Sequence, residues 1–311
     1  MDAGLVEDVR IYSLLWRLRA GEGKAAVDGL LAAVKSFAPD VVLMQHLGST
    51  GLDGAYFSEL RRLGNFRFIY HEADPYSRWK HPLPSEAKAA GGAADVVFTV
   101  GRGAFRSNFI RSGSRDVRWC PSIYDPGRFG RSIIPHELKR PYDVVMIANK
   151  SKARTPFTGH PNSRQREELV RLLCRRFGKR FAIFGRGWTN ASAKGPVPYS
   201  EQDAAIHAGW VSTNWDHYSS EEAYFSDRLP TTLATGSVHV TTYHKGFDEI
   251  FMGSDRFLRF GRSPKEIVDV VDDILATHDR TSLVDDAQSG RQFADMHFRQ
   301  DDQFVTMLNF E

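Results

Sequence analysis

Short apolar runs alternate with amphipathic helical segments along this chain, and they do so twice, on either side of a proline- and glycine-rich stretch. This alternation constrains the fold more than any other feature. A short run that is apolar throughout suits a strand covered on both faces, and strands alternating with helices imply βαβ units in a parallel sheet. In the first half the strand candidates are residues 41–45, 66–70, 96–100 and 117–120. Helices are predicted over 25–37, with Val27, Leu30, Leu31 and Val34 on one face, and over 105–111. Pro39 stops the first helix. Residues 9–16 suit either a first strand or a helix.

The stretch 124–142 contains Pro126, Pro135, Pro141, Gly127 and Gly130 and reads as a linker. The pattern then restarts with a strand at 144–148 and a polar loop that runs to Asn162. Ser163 is expected to cap a helix bearing Leu169, Leu172, Leu173 and Phe177, which Gly178 ends. Further strands are expected at 181–184, 210–214, 237–242 and 257–260, and a helix opens at Ser200. Pro230 suits the first residue of a helix ending at Gly236. Ser263-Pro264-Lys265-Glu266 is a capping box for a helix carrying Ile267, Val271, Ile274 and Leu275. The expected fold is α/β, with two Rossmann-like, doubly wound domains, 1–135 and 136–288, facing a central cleft at their strand C-termini. A helical tail, 289–311, is expected to pack back toward the first domain.

Composition narrows the function. With 41% hydrophobic and 25% charged residues the chain folds rather than remaining disordered. A net charge of +3 suits an anionic small molecule and permits nucleic acid without demanding it. Cys120 and Cys174 are too few for a disulfide framework or a cysteine zinc site, which points to a cytoplasmic setting. No apolar run approaches the ~20 residues of a membrane span, and the N-terminus carries Asp2, Glu7 and Asp8 instead of a signal core. There is no Walker loop, no Gly-x-Ser-x-Gly elbow and no dinucleotide fingerprint. The histidines do not fall at metal spacing: His239 and His244 lie in and after a strand.

In the run 225–236, Arg228 stands just before a helix N-terminus, with Ser226 beside it and Thr231 and Thr232 in the first turn. Free N–H groups, a helix dipole and a guanidinium together suit a diphosphate; a surface arginine beside an ordinary cap has the same spacing. Arg164, at the start of a helix, and Arg186, in the turn Gly185-Arg186-Gly187, are further phosphate candidates or solvated arginines. Gly187 would let a phosphate approach, or serve turn geometry alone. Trp188 could stack on a base, but core packing is the better reading. In the first half His46 follows one strand, and His71, Glu72 and Asp74 follow the next. Asp74 could deprotonate an acceptor hydroxyl, and His46 or His71 could bind the donor sugar or phosphate. Equally, Asp74 could cap a turn before Pro75, and His46 could be a packing residue. Gly101-Arg102-Gly103 could approach an anion through its backbone or form only a tight turn.

The run 228–236 and the strand after it resemble the C-terminal domain of family-one-like glycosyltransferases of the CgeB, or spore-maturation, type. Phe184-Gly185-Arg186-Gly187-Trp188 resembles that family's strand-end turn. Residues 199–215 resemble the helix and strand before its donor loop, and 95–125 the end of its N-terminal domain. The resemblance spans residues 90–275. It implies a GT-B fold, a nucleotide diphosphate sugar such as a UDP-sugar bound by the C-terminal domain, an acceptor bound mainly by the N-terminal one, and neither metal nor cofactor. Carried over, Arg228 would contact the donor diphosphate, and Asp74-Pro75 resembles an aspartate–proline element of the family. Thr231 stands where many relatives have a ribose-binding glutamate, and Ala223 stands eight positions before it, so the usual glutamate pair is missing; Glu221 and Glu222 are close by. The expected activity is metal-independent glycosyl transfer to a hydroxyl. Arg61, Arg62, Arg67, Arg106, Arg111 and Arg115 motivate an alternative acceptor, a modified DNA base. The missing glutamate pair motivates a second alternative, an inactive binding protein.

Overall fold

The structure, a computed structural model, describes residues 4, 6–77, 81–130, 140–151 and 160–309. The chain divides into two compact units, Met1–Cys120 with Phe304–Glu311, and Pro121–Gln303.

In the first unit β1 (Val41–Gln45), β2 (Arg67–Glu72), β3 (Val96–Thr99) and β4 (Val117–Trp119) form a parallel sheet in that order. Its helices are α1 (Leu14–Arg19), α2 (Lys24–Phe37), α3 (Gly54–Arg62), α4 (Ser85–Ala93) and α5 (Ala104–Arg111). Successive strand residues point to opposite faces, and here both faces are buried. Phe68, Tyr70 and Val97 join Phe57, Leu60 and Phe109 in one core. Ile69, Val96 and Phe98 join Cys120 and Met307 in the other. This is why the strands read as unbroken apolar runs. Residues 9–13 adopt no regular element, and α1 starts at Leu14.

The second unit holds a six-stranded sheet of β5 (Tyr142–Ile147), β6 (Phe181–Phe184), β7 (Ala193–Gly195), β8 (Gly209–Thr213), β9 (Val238–Thr242) and β10 (Leu258–Gly261). Every pair is parallel, and the order is β10-β9-β8-β5-β6-β7. Strand order therefore reverses between β5 and β8. At such a switch point the loops leaving the two strand C-termini diverge and open a ligand crevice. The helices are α6 (Ser163–Phe177), α7 (Gln202–His207), α8 (Arg228–Thr235), α9 (Phe247–Ile250), α10 (Pro264–Thr277) and α11 (Arg280–His297), while α12 (Gln300–Leu308) starts in this unit and passes into the first at Phe304. Val144, Met146, Leu169, Leu173, Val211, Val240, Ile267 and Val271 fill the core, each burial contributing about 1.5–3 kcal/mol.

Several boundaries differ from the sequence expectation. The chain enters the second unit at Pro121, upstream of 135, because the segment after Cys120 packs there. Ser122 Oγ donates to Phe225 O at 2.7 Å, Tyr124 donates to Asp295, and Phe129 stacks edge-on against Tyr199. Residues 131–139 of the expected linker and 152–159 of the polar loop lie outside the described residues. Ser163 is not the cap of α6. Asn162, in the left-handed region at φ 55°, precedes the helix, and the Ser163 hydroxyl donates to His160 O at 2.6 Å. Helix α8 starts at Arg228, so Pro230 is its third residue. Ser263 caps α10 as expected, its Oγ accepting from Glu266 N at 3.1 Å, while the Glu266 carboxylate accepts from Arg262 N at 2.8 Å instead of closing the box on Ser263 N. Among the described residues no helix is long and apolar enough to cross a membrane.

Candidate functional site

The chemistry of the second unit gathers at the C-terminal ends of β5, β8 and β9. Arg228 is fixed there: its Nε donates to Ile147 O, the last residue of β5, at 2.7 Å. Its side chain is 33% exposed, and Nη1 lies 3.7 Å from the outward Asp227 carboxylate. Among the described residues neither Nη makes a hydrogen bond. The backbone of α8 offers an anion less than expected. Leu229 N donates to Ser226 O, Thr231 N donates to Asp227 O, and Pro230 has no N–H. An anion at this point would meet the guanidinium rather than these backbone N–H groups. Thr231 and Thr232 are buried beneath the first turn, and Ser226 Oγ is 3.4 Å from Asn214 Nδ2.

Below Arg228 lies a buried polar network that the sequence reading missed. Arg166, on α6, is 6% exposed and donates twice to Trp215 O, at 3.0 and 2.7 Å. Burial pulls its guanidinium down to about 9, with the Arg228 charge adding to the effect, so it stays charged at neutral pH. Asp216, just past β8, accepts from Asn214 Nδ2 at 2.8 Å and lies 3.4 Å from His244 Nε2. Burial pushes the Asp216 carboxyl up, but His244, Arg166 and Arg228 outweigh it and hold the group below its ordinary range. A buried carboxylate between cations is tolerable because its charge is met locally.

The other phosphate candidates stand apart from this network. Arg164 is exposed on the first turn of α6, and Arg186 is exposed in the turn after β6. That turn is built for close backbone contact. Gly185 sits at φ 145°, and a Cβ there would come within 2.1 Å of Ala148 O. Gly187, at φ 87°, completes it. Trp188 packs on the core as expected and donates from Nε1 to Ala148 O at 2.6 Å.

In the first unit the register of β1 on β2 sets Gln45 opposite His71 and so brings the two strand ends together. His46 follows in the left-handed region, φ 51°, and its Nδ1 lies 3.5 Å from Asp74 Oδ2 and 3.6 Å from Glu72 Oε1. Glu72 is fully buried, at 0%, and accepts from Tyr70 Oη at 2.5 Å and Asp74 N at 3.1 Å. Burial raises its carboxyl above the usual range. The Asp74 hydrogen bond raises His46, so an imidazolium between carboxylates is favoured. Asp74 is 60% exposed and faces out from the group. These three side chains lie close enough to hold a metal ion, a grouping that histidine spacing in the sequence did not reveal. His71 was expected beside them after the strand; it lies instead within β2, buried, with Nδ1 held by Gln45 Nε2 at 2.9 Å. Burial lowers it to about 4, so it is neutral and ill suited to bind a phosphate. Of the arginines that motivated a DNA acceptor, Arg61 grips Asp95, Arg106 donates to Val117 O and Arg111 to Asn108. Their guanidinium groups are committed locally.

Buried histidines predict the acid behaviour. Burial lowers His71 and His239 to about 4 and His217 to about 3. Each is depressed below its unfolded value of about 6.5, so its stabilisation is complete above that pH and is lost as pH falls toward 4. Each proton adds up to about 1.4 kcal/mol per pH unit. Glu72, raised by burial, acts the other way. Urea midpoints should fall steeply between pH 6.5 and 4.5; a flat profile would refute neutral burial of these rings.

Residues 164–309 match the model of a family described as glycosyl transferase-like. No curated protein matches the chain. Among solved structures, sucrose-phosphate synthase from Thermosynechococcus elongatus is similar at a TM-score of 0.60 and 13% identity, over 90% of this chain and 75% of that one. HepE of Anabaena, solved with UDP and glucose, gives 0.60 and 12% over 91% and 79%. The trehalose-6-phosphate synthase OtsA gives 0.60 and 11% over 97% and 79%. The fold is GT-B. Residues 164–309 are thus similar to glycosyl transferase-like domains, on that fold.

Proposed function

We propose that this chain transfers a glycosyl group from a nucleotide diphosphate sugar, a UDP-sugar in the first instance, to an acceptor hydroxyl, without a metal ion and in the cytoplasm. The observation that carries the reading is Arg228, fixed to the end of β5 at the switch point with both Nη atoms free of hydrogen bonds among the described residues. As the bond from the sugar C1 to the diphosphate oxygen breaks, negative charge grows on the leaving group. A preorganised guanidinium stabilises that charge with no reorganisation during the reaction. Arg166 adds positive potential from below, and Asp216 with His244 holds the loop after β8 in place. HepE was solved with UDP-glucose, which favours uridine as the first base to test.

In the first unit Asp74 takes the proton of the acceptor hydroxyl as the new C1–O bond forms, and His46 orients it. The close His46, Glu72 and Asp74 grouping is read as proton handling, with Glu72 held by Tyr70 Oη and Asp74 N and the His46 imidazole beside Asp74. The motif order from Gly185 to Gly236 supports the CgeB-like type.

A thermal-shift panel of nucleotide diphosphate sugars tests this reading. A ligand at about 100 times its Kd should stabilise the protein by about 2.7 kcal/mol, and EDTA should change neither the shift nor turnover. A panel with no shift, or activity lost to EDTA and restored by a divalent cation, would count against the reading.

A further inference from the structure

Residues 101–120, which hold α5 and β4, contain five arginines against one acidic residue, Asp116, a local net charge of +4. The proposed transfer uses none of them. Phe105 and Phe109 turn inward to the core, while Arg106, Ile110, Arg111 and Arg115 are exposed. Arg106 Nε donates to Val117 O at 3.0 Å, which pins α5 to β4, and Arg111 Nη2 donates to Asn108 Oδ1 at 2.7 Å. Both partners are neutral, so these bonds orient the guanidinium groups and leave their charges uncancelled. Arg115 makes no hydrogen bond or ion pair among the described residues. Arg118 meets the Asp116 carboxylate at 2.8 Å. Ile110, 45% exposed, stands one helical turn after Arg106 and beside Arg111, so an aliphatic side chain is held in water between cations. Helix α6 is also basic, but there Glu167 and Glu168 interleave with the arginines, and Arg176 and Arg180 pair with Asp272 and Asp143. Among the described residues none of its large apolar side chains is exposed.

A partner that answers both features is negative at its surface and apolar just beneath, which is the order of layers in an anionic lipid leaflet. Guanidinium groups take lipid phosphates with paired donors, and an aliphatic side chain between them enters the boundary of headgroups and acyl chains. Nucleic acid answers only the charge. Its phosphates gain nothing from Ile110. Trp119, the partly exposed aromatic ring of this stretch, is covered on one face by Arg102 at 4.3 Å and donates from Nε1 to Val100 O at 3.3 Å, so it is not presented to a base. We infer that the outer face of α5 and the turn leading to β4 dock this protein peripherally on anionic membrane surfaces, through Arg106, Ile110, Arg111 and Arg115. This docking is independent of the donor chemistry in the second unit.

Vesicle flotation at low ionic strength decides the matter. The protein should float with vesicles of phosphatidylcholine mixed equally with phosphatidylglycerol and stay behind with phosphatidylcholine alone. Added salt should release it, because screening shortens the reach of surface charge. Each arginine near an anionic leaflet multiplies partitioning about fivefold, so Arg111→Gln combined with Arg115→Gln should weaken it about 25-fold. Ile110→Ser, which leaves the charge intact, should weaken it roughly fivefold. All three positions are exposed, so thermal unfolding of both variants should stay close to that of the unmodified protein. The two variants alter different elements of the surface, so either one keeps the test decisive if the other does not fold. Equal flotation with both kinds of vesicle, partitioning that survives both variants, or capture of a short DNA duplex with no flotation overturns the inference.

Discussion

Arg228→Ala should weaken nucleoside diphosphate binding by about 10- to 100-fold while leaving nucleoside binding within about twofold. The estimate follows from hydrogen bonds to charged groups, worth about 1.5–3 kcal/mol net, at 1.4 kcal/mol per decade. The guanidinium is held from behind by Ile147 O, so it reaches an anion with little entropy left to lose. Arg228→Lys should recover only part of the affinity, because an ammonium cannot keep the Ile147 contact and present two further donors in one plane. Turnover should fall by more than affinity, since the charge on the diphosphate grows as the sugar leaves. Calorimetry with UDP and uridine separates the possibilities. Equal losses for both would mean that Arg228 supports the fold of the loop and does not hold the phosphates.

Much of this architecture was legible in the sequence, for an identifiable reason. β3 and β6 are buried on both faces, so their apolar runs carry their own boundaries. The turn at Gly185 was legible because only glycine tolerates a backbone that close to Ala148. The start of α8 was not. Proline favours the first helical turn generally, and its position there depends on how the preceding loop packs. That shift removes backbone donors from the expected anion site and leaves the work to the side chain of Arg228. Arg166, which the sequence reading passed over for Arg164, carried a legible signal. Arg166 precedes Leu169 and Val170 by three and four residues, and with Leu173 and Phe177 it completes the buried stripe of α6. A charged residue on such a stripe signals a buried partner, here the Trp215 carbonyl. The meeting of His46 with Glu72 and Asp74 depends on strand register, which places residues twenty-six apart side by side. Local pattern carries no information about that pairing.

Asp74→Asn is expected to lower turnover by about 100-fold or more, the usual contribution of a positioned general base, with donor affinity within about twofold. Asparagine keeps the size and the turn before Pro75 but cannot accept a full proton. A second readout separates proton transfer from mere shape. The Asp74 hydrogen bond is the main cause that raises His46, so the imidazole of the variant should titrate closer to its ordinary value of about 6.5. A raised histidine stabilises the fold below its unfolded value and loses that stabilisation as pH climbs through its folded one. The unmodified protein should therefore lose a little stability as pH rises above about 6.5 that the variant does not lose. The change is small because both side chains are partly exposed and solvent screens them. His46→Gln should cost turnover less, about tenfold, as expected for a residue that orients Asp74 without touching the acceptor. NMR titration of His46 beside steady-state kinetics decides the assignment. Full activity in Asp74→Asn alongside the lowered His46 titration would show that the pair is coupled but that the acceptor proton leaves by another route, and would end the candidacy of Asp74 as the base.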